Sequence, residues 1–153
     1  MIDAGPADAG VIIRGIAVRD IPAVHGLCME LGYDVDQAGV GHRINEIVHR
    51  PGHAVFVAAD DNDKPVGFIH VFGRHAIEIQ SCAQVQALVV DEAARRAGAA
   101  GLLMGAAEQW ARAEGFTWMS LYCTSSRDAA HHFYEAQGYD GALSATRFNK
   151  TLS

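Results

Sequence analysis

Apolar positions along the chain change period several times, and each change marks an element. Residues 11–18, VIIRGIAV, read as a first strand. Ile21, Val24, Leu27, Cys28 and Leu31 then recur at helical spacing, with Asp20 as the expected cap and Pro22 in the first turn. Gly32-Tyr33 ends that helix, and a second is predicted over residues 37–49, carrying Val40, Ile44, Ile47 and Val48 inward until Pro51-Gly52 stops it. AVFVAAD and PVGFIHVFG follow as two strands around DDNDK, a polar run of hairpin-turn composition. VQALVV, residues 85–90, is apolar enough for a strand buried on both faces. Leu102, Leu103, Ala106, Ala107 and Trp110 form the next helical stripe, with Gly115 as its C-cap. TWMSLYC reads as a strand and RDAAHHFYEAQGY as a helix, and ATRFNKTL closes the chain. The order β-α-α-β-β-β-α-β-α-β-β holds no internal repeat and no linker, and it predicts one α/β (α+β) domain.

Between the apolar strand and the stripe of Leu102 lies a basic turn of small residues that opens onto a helix N-terminus. Unpaired amides and the positive end of the helix dipole favour an anion there, and Arg95 and Arg96 add charge. Small residues at 97–101 let phosphate oxygens approach the backbone, although the same composition also suits a plain Ala-rich helix start.

Arg95, Gly98 and Ala100 resemble the Arg/Gln-x-x-Gly-x-Gly/Ala signature of the GNAT N-acetyltransferase superfamily. Further on, Arg127, Ala130, Phe133, Tyr134 and Gly138-Tyr139 resemble its second signature, a tyrosine-bearing helix ending in a glycine-aromatic pair, and the closing ATRFNKTL resembles the last strand of many members. The resemblance implies a mixed, largely antiparallel central sheet of about seven strands flanked by about four helices, in one domain over residues 1–153 with a flexible stretch at 1–10. It implies acetyl-CoA as cosubstrate. Its pyrophosphate would lie on Arg95, Arg96, Ala97, Gly98, Ala99, Ala100 and Gly101, and its pantetheine along Leu88, Val89 and Val90. A splay between the cradle strand and the next one, near Tyr122, would admit the thioester. Arg127 stands where many members carry asparagine, and would meet a phosphate or cap its own helix.

The same resemblance assigns Tyr134 as the acid that protonates the departing thiolate, since a phenol with pKa near 10 stays protonated at neutral pH. The base is less legible. Glu78, between apolar neighbours in IEIQS, is the leading candidate, with His70, His75 or a water chain as alternatives. Some relatives carry an acidic residue where this chain has Gln84 and Gln86, neither of which can act as a base. That departure leaves open a noncatalytic acyl-CoA-binding module with a degenerate acceptor site. Otherwise the expected reaction is direct acetyl transfer to a primary amine of a small molecule or peptide. A longer acyl group and a homodimer both stay open.

Composition narrows the partners. A formal charge of −6 disfavours nonspecific binding to nucleic acid or anionic membrane. Glu30, Asp34 and Asp36 suit a cationic amine or are ordinary solvated charges. No segment has the length and apolarity of a membrane span and the start lacks a secretory pattern, so a cytoplasmic protein is expected. Cys28, Cys82 and Cys123 have neither zinc spacing nor an even count, and read as small buried hydrophobes. No metal is expected: His131 and His132 point in different directions on a helix, and His25, His42, His49 and His53 belong to no constellation.

Overall fold

In the computed structural model, residues 10–123, 128–141 and 144–153 are described. The chain divides into two compact units, Met1–Leu121 and Tyr122–Ser153. The first contains a five-stranded sheet in the order β1 (Ile12–Gly15), β2 (His53–Ala59), β3 (Pro65–Arg74), β4 (Cys82–Val90), β5 (Met119–Leu121). The first four strands run antiparallel to their neighbours, and β5 lies parallel to β4. A parallel partner needs a crossover, which here consists of the helices α3 (Glu92–Arg96) and α4 (Ala99–Ala113).

Period-two alternation on β3 assigns the sheet faces. Phe68 clusters with Val57, Val89 and the inward residues Val24 and Leu27 of α1 (Ile21–Glu30) and Val40 of α2 (Gln37–Val48). Gly67, on the opposite face, leaves room for α4: a Cβ there would stand 3.3 Å from Leu103 and 3.1 Å from the Val89 carbonyl oxygen. Leu103, Met104, Ala106 and Ala107 are fully buried on that side, and a leucine-sized side chain contributes about 1.5–3 kcal/mol by such burial.

Several expectations are corrected. The class holds, but among the described residues the sheet has five strands where about seven are expected, and α3 raises the helices to five. Residues 145–152 form no strand, and Phe148 is exposed, because likeness to a family strand does not supply a sheet edge to pair with. Val48 is exposed at the end of α2. Asp20 does not cap α1 with its side chain. It is buried, accepting both terminal nitrogens of Arg14 at 2.7 and 2.8 Å and the Ala17 amide at 2.7 Å. Burial raises the Asp20 carboxyl, but these hydrogen bonds outweigh it and hold it below the usual range. Removing one side of such a buried pair costs about 3–5 kcal/mol.

Candidate active site

The cradle is assembled where β4 leaves the sheet. Asp91 caps α3 by accepting the Ala94 amide at 2.7 Å. The single helical turn closes with the Ala97 and Gly98 amides donating to the Ala94 and Arg95 carbonyls, both at 3.2 Å. Gly98, at φ +88°, turns the chain through the left-handed region and opens α4. The first bond of that helix is the Leu102 amide to the Gly98 carbonyl at 3.3 Å, so the amides of Ala99, Ala100 and Gly101 precede the ladder. Ala99, Ala100 and Gly101 form the first turn of α4, the helix start that their composition also suits, while Arg95 and Arg96 belong to α3. Arg95 is exposed, and Arg96 pairs with Glu92 at 3.1 Å.

A cavity of about 210 Å³ beside the cradle is lined by Val89, Val90 and Arg95 together with Leu27, Glu30 and Leu31. Three of the expected cofactor residues are thus brought together. A wider groove of about 830 Å³ shares Leu27 and Glu30 with it. An apolar strand end, an exposed guanidinium and three amides free of the helical ladder form a donor set suited to a pantetheine pyrophosphate, and open space surrounds Gly98.

The edge of β4 is also prepared. Its pairing with β5 runs only from Ala83 opposite Met119 to Val85 opposite Leu121, leaving residues 86–90, Leu88 included, without a β5 partner. The parting coincides with a bulge: His70 pairs with Ala87 and Val71 with Val85, so Gln86 is skipped and exposed rather than buried as its apolar run suggested.

On the sheet face opposite α4, His53 Nδ1 lies 2.9 Å from His70 Nε2, and Phe72 stacks on the His53 ring with centroids 5.4 Å apart. Burial pushes His70 down to about 4, helped by His53. Burial and then Arg50 lower His53 as well. His53, assigned to no constellation from the sequence, is therefore paired. The strand alternation placed it on one face of β2, but the register opposite Phe72 is a tertiary fact. Glu78 stands exposed in the β3–β4 connection, with its neighbours Ile77 and Ile79 exposed too, and His75 is exposed near Phe116.

In the second unit, α5 (Asp128–Ala136) carries Tyr134, half-buried with its ring edge-on to Phe133 at 5.2 Å and to Tyr139 at 6.3 Å. Gly138, at φ +92°, ends the helix, and the Tyr139 amide returns to the Tyr134 carbonyl at 3.0 Å. Arg127 lies outside the described residues.

Residues 22–139, well over half the chain, match the acetyltransferase (GNAT) family. The chain belongs to that family. It is an acetyl-CoA-dependent N-acetyltransferase. The GNAT chain is similar in fold to an aminoglycoside 6'-N-acetyltransferase from Acinetobacter baumannii, with TM-score 0.81 and 17% identity over 94% of this chain and 100% of that one. An aminoglycoside N-acetyltransferase in complex with CoA gives TM-score 0.83 and 18% identity over 93% and 95%. An aminoglycoside acetyltransferase from an uncultured soil metagenomic sample, in complex with sisomicin, gives 0.78 and 20% over 97% and 100%. No curated protein matches the chain. Among the described residues of this acetyltransferase, no helix is long and apolar enough to cross a membrane, and no three His, Cys, Asp or Glu side chains are grouped to hold a metal.

Proposed function

We propose that this acetyltransferase transfers acetyl directly to a primary amine of a small molecule, in a ternary complex with acetyl-CoA. Acetyl-CoA supplies an acetyl group activated as a thioester. The observation that carries the reading is the left-handed Gly98 cap, after which the Ala99, Ala100 and Gly101 amides of α4 stand ahead of the helical ladder, close in sequence to Arg95. These amides, with Arg95 and Arg96, would hold the pyrophosphate, while Ala97 and Gly98 keep side-chain bulk away from it. The unpaired edge at Leu88, Val89 and Val90 offers backbone groups to the pantetheine amides. Tyr134 holds the proton that the departing sulfur takes, and Arg127 adds a cation for the phosphates. The small-molecule acceptor is supported by the aminoglycoside acetyltransferases among the fold neighbours, and Glu30 at the cavity mouth suits a cationic amine.

Calorimetric titration tests the cradle. Wild-type protein should bind acetyl-CoA selectively over ATP, and Ala100→Glu should weaken binding by about tenfold or more, the loss of roughly one charge-assisted hydrogen bond. A carboxylate in the first turn suits the helix dipole, so the variant should keep its melting temperature. Equal affinity in both proteins would move the cofactor away from α4. Binding without thiol release to any primary amine would favour a noncatalytic acyl-CoA-binding module.

A further inference from the structure

Besides the cradle, the sheet carries a second polar cluster. His53 on β2 and His70 on β3 share the face opposite α4, with rings 5.2 Å apart and tilted by 30°. The contact of 2.9 Å is the one hydrogen bond that either ring makes among the described residues, which leaves one nitrogen of each ring for another partner. Among the described residues no carboxylate bonds to either imidazole. Gln84, opposite Phe72 on β4, keeps its Oε1 buried without a donor among the described residues, an acceptor suited to an amine N–H. The position of the cluster matters as much as its chemistry: His70 pairs with Ala87, at the point where β4 parts from β5.

We propose that His53 and His70 form a two-ring proton relay that accepts the proton of the attacking amine. The proposal rests on the N-acetyltransferase reading above. As nitrogen bonds to the acetyl carbon, its N–H bond breaks toward the outer nitrogen of His70. The Nε2 proton of His70 passes to Nδ1 of His53, and the outer nitrogen of His53 releases its proton to solvent. The amine loses one proton, the solvent gains one, and both rings end neutral in the opposite tautomer. Exchange with solvent restores them.

The surroundings suit a relay rather than a proton store. Arg50 acts on His53, Arg74 on the same strand face is engaged with Cys82 Sγ at 3.1 Å and with the Trp118 ring, and Gln84 is uncharged. Burial of both rings, with Arg50 beside His53, opposes a lasting imidazolium, so the rings stay neutral through the physiological range.

The test follows thiol release from acetyl-CoA with a panel of primary amines that includes sisomicin and spermidine, for wild type, His70→Gln, His53→Gln and Glu78→Gln. In His70→Gln, kcat/KM should fall by about 10²-fold near pH 7, with acetyl-CoA affinity unchanged by calorimetry. The deficit should shrink toward pH 9.5, where hydroxide takes the proton instead. A merely structural role predicts the same deficit at every pH, and that result overturns the relay. His53→Gln gives the parallel measurement should His70→Gln fail to fold. Wild-type rates in both histidine variants, with the loss confined to Glu78→Gln, would overturn the relay alone. No thiol release by wild type with any amine would overturn the transfer reading, and the relay with it.

Discussion

Tyr134 and the His53–His70 pair differ in how openly the chain declares them. Tyr134 sits in a contiguous stretch whose resemblance to a family signature carries its helix, its phenylalanine neighbour and the Gly138 that ends the helix. The histidines are separated by 17 positions and meet only because β2 and β3 pair with His53 opposite Phe72 and Val55 opposite His70. Glu78 drew notice for its apolar neighbours, yet these are exposed in a connection between strands. The acid role of Tyr134 has a direct test. Tyr134→Phe keeps the ring that packs against Phe133 and Tyr139 and removes only the hydroxyl, so turnover should fall by about 10²-fold while acetyl-CoA affinity stays near wild type. Unaltered kcat would take the proton donation away from this residue.

At the scale of elements, two glycines serve unlike purposes. Gly98 needs freedom of backbone: its φ is +88°, but a Cβ there meets nothing within 4 Å. Gly67 needs space: its Cβ would press on a backbone oxygen and on Val90 at 3.1 Å. Gly98→Ala should therefore cost about 1–2 kcal/mol by conformational strain and disturb the cradle amides. Gly67→Ala should cost about 1–3 kcal/mol by crowding between β3, β4 and α4. Denaturant melts measure both, and acetyl-CoA titration should show a loss of affinity for Gly98→Ala beyond any shown by Gly67→Ala at matched folded fraction. Equal affinities would mean that the conformation at 98 does not shape the binding turn. The short helix α3 escaped sequence reading because five residues give too little periodicity. Its Asp91 cap, with helix-compatible Glu92 to Arg96 behind it, was the available signal.

Across the whole molecule, the buried titratable groups set how stability follows pH. His70 is held at about 4 against an ordinary 6.5, so between these values the unfolded chain binds more protons than the folded one. Stability from this source is complete above 6.5 and is lost as pH falls toward 4. Asp20, held below its ordinary range, contributes stability that is lost only at more acidic pH. The melting temperature should thus decline from pH 7 to pH 5, and less steeply in His70→Gln. Parallel slopes for the two proteins would show that the histidine is not the source.

The sequence by itself determined most elements of the first unit, α3 excepted, and the glycine-opened helix after β4, because strand alternation, helical stripes and caps are recorded within a few residues of each other, while the helix that carries Tyr134 was legible through its family signature. Tertiary structure alone decided the register that joins His53 to His70, the bulge at Gln86, the parting of β4 from β5 and the burial of Asp20 against Arg14. Each depends on which distant segment occupies the next place in the sheet or core, and no local pattern carries that information. The same reason explains the closing segment, which resembles a family strand but forms none among the described residues.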